Sequence, residues 1–142
     1  MAVAVVDSNV LIGRVDSTDQ HHEVATAIVR GMDQGDLPTG RVTNYVVLET
    51  LNWIHTRQHH AKAVETYDRL TESAGFEVLQ AAQKDFHRAV ELFETHEGLA
   101  FGDATIAAYM EREGVEYLYS FDDDFDLLAD ITRLATADNP VR

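Results

Sequence analysis

The chain has 142 residues, 45% of them apolar, with two prolines; this fits one domain, 1-142, with a substantial core, and argues against disorder. It contains no cysteine, which excludes disulfides, thiolate metal sites and a cysteine nucleophile. Asp and Glu total 25 against 11 Lys and Arg, a net charge of −14, a balance that opposes nucleic-acid binding at low ionic strength.

Only Lys62 and Lys84 are lysine. An acidic, lysine-poor, halophile-like surface suits molar salt, where charge repulsion is screened over roughly 3 Å. Most carboxylates are then solvated surface groups, and one becomes informative only where its neighbours place it off the surface.

Apolar periodicity alternates strands with helices along the chain. Ala2–Val6 is a short apolar strand, too short for a signal peptide, and no segment approaches the roughly 20 apolar residues of a membrane span. A cytoplasmic protein is the expectation. Val24, Ala27, Ile28 and Met32 stripe a helix near 20–34, broken by Gly35-Asp36 and Leu37-Pro38. Thr43 or Asn44 caps a helix running to about residue 58. Ala63, Val64, Tyr67 and Leu70 stripe the next helix, which ends by Gly75, and 76–80 reads as a strand.

Phe86, Ala89, Val90 and Phe93 mark a further helix, ended by Gly98. Asp103 opens another, to Glu113, with Gly114 as its stop; 117–121 is a strand, and a short last one lies near 131–134. Strands joined by helical crossovers imply α/β architecture with a mainly parallel sheet covered on both faces. Sites in such sheets lie beyond the carboxyl ends of the strands, near a switch in strand order.

Four carboxylates stand where surface decoration is not expected. Asp7 follows the strand Val3-Ala4-Val5-Val6 and precedes Ser8 and Asn9, which either orient it or simply make a turn. Glu49 shares a helical face with Tyr45, Val46 and Trp53, so a cation or donor is implied for it. Asp103 begins a helix, where an N-cap is the plain alternative, but Ile106, Ala107 and Met110 share its face. Asp122 again follows a strand.

The spacing Asp122-x-Asp124-x-Asp126 matches the start of an EF-hand loop. Leu127 occupies the glycine position and Arg133 the glutamate position, so a calcium loop is rejected. Asp123 and Asp126 read as solvated charge. One acidic pocket assembled from the four other sites needs divalent cations, and oxygen donors favour Mg2+ or Mn2+. The chemistry that suits it is metal-activated water attacking a phosphodiester.

The segments VVDSNVL, VVLETL, AFGDATIAA and YSFDDDF resemble, in order and spacing, the four acidic motifs of PIN-domain ribonucleases, with the best match to VapC-type toxins of type II toxin–antitoxin modules. The resemblance covers essentially the whole chain. It implies a PIN-like three-layer α/β/α sandwich with a central sheet of 4-5 strands. It places the metal-binding, catalytic acids at Asp7, Glu49, Asp103 and Asp122, with Ser120 accompanying Asp122 and Asp124 as an additional acid. It further implies RNA cleavage with Mg2+ or Mn2+, a homodimer, and a VapB-type antitoxin partner.

Arg14, Arg41 and Arg57 are candidate phosphate contacts, each by default a surface arginine. The histidines lack an HExxH arrangement, which argues against zinc; the dipole at a helix C-terminus accounts for His59 and His60. Tyr45, Trp53, Phe86 and Phe93 read as core. Two other readings stay open within the fold: an RNA-processing nuclease outside a toxin–antitoxin pair, and a non-catalytic binding domain. An aspartyl-phosphate phosphatase is disfavoured, because Asn9 stands where that chemistry carries a second aspartate.

Overall fold

The computed structural model describes residues 2–142. Five strands, β1 (Val3–Val6), β2 (Thr39–Thr43), β3 (Phe76–Leu79), β4 (Tyr117–Tyr119) and β5 (Thr132–Leu134), form one sheet in the order β3-β2-β1-β4-β5. Every neighbouring pair is parallel. A pair of helices fills each of the first three crossovers: α1 (Ser8–Val15) and α2 (His22–Asp33), α3 (Asn44–Arg57) and α4 (His60–Glu72), α5 (Gln83–Thr95) and α6 (Phe101–Glu113). The result is a three-layer α/β/α sandwich around an all-parallel sheet. The strand order reverses at β1, so the crevice expected for a ligand lies at the carboxyl ends of β1 and β4.

The central strands β1 and β4 are apolar because both faces are covered: Ala4, Val5, Val6, Leu118 and Tyr119 are inaccessible to solvent. The main core joins them to Ile28 and Met32 of α2 and to Ile106 and Met110 of α6. A second cluster of small residues, Ala89, Ala104, Ala107 and Ala108, lets α5 and α6 approach closely.

Two elements lie in stretches to which the sequence pattern assigns none. Residues 8–15 form α1, with Asp7 as its N-cap accepting from the Ser8 N–H. Eight residues with few periodic positions give little helical signal, and packing against α2 and α3 supplies what propensity lacks. Residues 39–43 form β2, although Thr-Gly-Arg-Val-Thr carries little strand pattern. Gly40 is required there: a Cβ would stand 2.7 Å from Met32 Sδ and 2.9 Å from Val6 Cγ2.

Other expectations are sharpened. Thr43 caps α3 by accepting from the Val46 N–H at 3.3 Å. Gly114 ends α6 in the left-handed region, φ 66°. His59 is the N-cap of α4, accepting from the Lys62 N–H, so its place is not explained by the preceding helix dipole.

The Phe86/Phe93 stripe is not core: these rings are 41% and 47% exposed, while α5 buries Ala89, Leu92 and Asp85. Similarly, α4 buries Ala63 and Leu70 and leaves Val64 and Tyr67 exposed. Among the described residues, no helix is long and apolar enough to cross a membrane.

Candidate active site

The end of β1 fixes Asp7. Its N–H donates to the Tyr119 carbonyl at 3.0 Å, which stitches β1 to β4 at the sheet's carboxyl edge. One carboxylate oxygen accepts from the Ser8 N–H and the other from the Ser120 hydroxyl, both at 2.7 Å. Asn9 and Ser120 act as a brace between the two strand ends. The Asn9 amide donates to Ser120 Oγ at 3.3 Å and accepts from the Phe121 N–H at 3.3 Å. Ser120 Oγ also accepts from the Asp122 N–H at 3.0 Å, so one hydroxyl orients both Asp7 and the turn that carries Asp122.

Beyond β4 the chain enters a 3-10 turn, Asp123–Leu127, capped by Asp122 and anchored by the inaccessible Phe125. Asp122 Oδ1 accepts from the Asp124 N–H at 2.9 Å. Asp103, from the first turn of α6, meets this turn: carboxylate oxygens of Asp103, Asp122 and Asp124 all lie within 4.8 Å of one another. Asp103 is not the helix cap, since Ala100 holds that position and α6 begins at Phe101. Glu49 approaches from α3, its carboxylate accepting from the Ser8 hydroxyl. Its setting differs from expectation: α3 buries Val46, Thr50 and Ile54, and Glu49 sits on the open side.

The electrostatics are those of an incomplete site. Burial pushes the Asp7 carboxyl up to about 6, against the stabilising Ser120 and Ser8 donors, and the charges of Glu49 and Asp122 push further. Asp103 rises to about 8, first through burial, then through its hydrogen bond with Asp122 and the charges around it. Asp124 is raised chiefly by Asp122. Arg133, the guanidinium that approaches this turn, is engaged by Asp126 at 2.9 and 3.0 Å and by the Ser120 carbonyl at 3.2 Å. Asp126 is therefore ion-paired rather than merely solvated. Such a carboxylate set must take up protons or a cation. An all-oxygen donor set of this size suits a hard divalent ion such as Mg2+ or Mn2+.

The candidate arginines separate. Arg14 ends α1 and lines a small cavity with Arg69, Asp33 and Phe76. Phe76 starts β3, so that cavity lies toward the sheet edge opposite the acids. Arg41, in mid-β2, is held by Glu77, Glu113 and the Tyr109 hydroxyl at 3.3 to 3.5 Å. Arg57 lies 5.8 Å from the Trp53 ring centre and lines a cleft that includes Glu49.

Sequence reasoning missed two neighbours of the acids. The His21 ring stacks on Phe121 with centres 4.2 Å apart, and Arg133 holds the Ser120 carbonyl. Both contacts join residues whose relation only the fold creates, and no local spacing signals them.

The PIN domain family matches residues 4–131, and the chain belongs to that family. The structure resembles the VapC20 toxin of Mycobacterium tuberculosis, described as cleaving the sarcin–ricin loop: 24% identity, TM-score 0.74, covering 89% of this chain and 94% of that one. It also resembles the VapBC2 complex of Rickettsia felis bound to promoter DNA: 12% identity, TM-score 0.70, covering 93% and 97%. A third is VapBC-1 of nontypeable Haemophilus influenzae: 16% identity, TM-score 0.67, covering 93% and 96%. Comparison with curated proteins gives no significant sequence match.

Proposed function

We propose that the protein is a Mg2+- or Mn2+-dependent endoribonuclease, the VapC-type toxin of a toxin–antitoxin pair, acting in the cytoplasm. The observation that carries this reading is the meeting of Asp103, Asp122 and Asp124 within 4.8 Å, with the charge of Asp7 close enough to act on Asp103. Four segments, remote in sequence, deliver carboxylates to one crevice, and the guanidinium that approaches it, Arg133, is already engaged by Asp126 and the Ser120 carbonyl. The toxin assignment is supported by the fold shared with VapC20 and the VapBC complexes. A VapB-type antitoxin partner and a homodimer are part of the same proposal.

In this reading Asp7, Glu49, Asp103 and Asp122 hold the divalent ion or ions, with Asp124 contributing. When bound, the ion supplies Lewis-acid stabilisation of the phosphate charge and activation of a water. The chain's own groups prepare the site. The Ser8 N–H and Ser120 hydroxyl fix both oxygens of Asp7, so its orientation does not depend on the ligand. Asn9 keeps Ser120 in register. The raised affinity of Asp103 for a proton equips it to hold one at its carboxylate until a cation displaces it.

The test is cleavage of total RNA by purified protein at molar KCl. Activity should require Mn2+ or Mg2+, stop in EDTA, and be absent in Asp7→Asn and Asp103→Asn. Cleavage that persists in EDTA or in both variants would rule the proposal out.

A further inference from the structure

A cleft of about 560 Å3 lies beside the acids, between α3 and α6. Its size is in the range of small-ligand pockets, roughly 300–1,000 Å3. Tyr45, Trp53 and Phe101 supply aromatic walls, and Asn52 and Thr56 add polar groups. Its inner end is Glu49 and Gly102, where a Cβ on Gly102 would stand 3.6 Å from the Glu49 carboxylate. The cleft is thus continuous with the acidic site.

Arg57 stands over Trp53, and no carboxylate among the described residues comes within the 4.0 Å of an ion pair with it. In a chain of net charge −14, a guanidinium left free in a cleft that also includes Glu49 is complementary to something anionic.

We infer that this cleft is a nucleobase subsite, in which one base of single-stranded RNA beside the scissile phosphate stacks on Trp53 while Arg57 meets the neighbouring phosphate. The inference rests on the ribonuclease reading and assigns the residues that would select the cleaved strand. Rings and guanidinium planes are the groups that hold unpaired RNA bases. A strand whose phosphate lies at Asp103 has its next nucleotide at Gly102 and Glu49, where the acidic site meets the cleft. A purely apolar partner would fit the rings but leave Arg57 without a counter-charge.

Trp53 is the only tryptophan, so its emission reports directly on the cleft. The intact chain is titrated at molar KCl and Mn2+ with a labelled 2′-O-methyl RNA hexamer, whose integrity after the titration is checked on a denaturing gel. Saturable quenching of Trp53 should track the rise in RNA anisotropy. Trp53→Leu should weaken binding about tenfold, the loss expected for one base stack, and Trp53→Phe should restore most of it, with far-UV circular dichroism unchanged in both.

RNA binding without quenching, or equal affinity for Trp53→Leu and wild type, overturns the subsite. So does a dimer in sedimentation equilibrium that Trp53→Leu abolishes, because the cleft is then a contact between copies. Cleavage of unmodified RNA by the wild type is followed in parallel. Cleavage without quenching removes the subsite alone, and quenching without cleavage removes the ribonuclease reading alone.

Discussion

Asp85 and Asp7 are both nearly inaccessible, 2% and 4% exposed, yet their surroundings are opposite. Asp85 receives the Arg112 guanidinium at 2.7 and 3.1 Å and the Ala82 N–H at 2.9 Å. Its charge is matched within the chain, and it ties the start of α5 to the end of α6. Asp7 receives only uncharged donors, the Ser8 N–H and the Ser120 and Ser8 hydroxyls, and its remaining neighbours of note are the carboxylates of Glu49 and Asp122. A buried charge that the fold completes holds structure together. One that the fold surrounds with like charge is left for a ligand to complete.

The contrast can be broken most sharply by neutralising each acid. Asp7→Asn and Asp103→Asn should lower RNA cleavage by about 100-fold or more, since loss of several kcal/mol of charge stabilisation is expected. Their melting temperatures in EDTA should hold or rise. A drop in stability equal to that of an Asp85 variant would erase the distinction.

Mn2+ should then stabilise the wild type: at about 100 times its dissociation constant, binding contributes about 2.7 kcal/mol, or roughly 8 °C in melting temperature. Differential scanning calorimetry should show that shift in Asp85→Asn and lose it in Asp103→Asn.

Asp85→Ala should behave inversely, costing about 2 kcal/mol in urea unfolding because it frees Arg112 and uncaps α5. Cleavage per folded molecule should persist.

The pH dependence follows from sign. Asp7 and Asp103 bind protons more tightly folded, at about 6 and about 8, than at the ordinary 3.8. Their contribution is therefore present at acid pH and lost as pH rises through 6 and 8. In EDTA the melting temperature should fall between pH 5 and 8, and fall less steeply in Asp103→Asn. A rise over that window in the wild type would contradict the raised values.

The smallest effect belongs to the brace. Ser120→Ala removes the hydroxyl shared by Asp7 and the Asp122 N–H, and should lower activity about tenfold, as for groups that orient metal ligands, at a stability cost of about 1 kcal/mol for the hydrogen bonds lost.

Much of this was legible in the chain. The apolar run that ends at Asp7 and the one that ends near Asp122 place both acids at the sheet's carboxyl edge, because parallel strands share direction. Gly114 and Thr43 mark helix ends through local backbone chemistry that no tertiary contact needs to specify. The PIN motifs in their order marked the four candidate ligands.

Other features were decided only by packing. Residues 8–15 became helix and 39–43 became strand because their neighbours, α2 and α3 for the first and β1 and β3 for the second, supplied contacts that outweigh weak local preference. The side of α3 that faces inward was settled by Val46, Thr50 and Ile54, which left Glu49, Tyr45 and Trp53 to form a cleft wall. Asp85 looked like any surface acid until Arg112, 27 positions away, was folded against it. Local pattern is enough to set Asp7 and Asp122 at the carboxyl edge, since a strand's end is a local property. Which acids meet each other and which meet an arginine is set by packing, since that depends on groups brought together from distant parts of the chain.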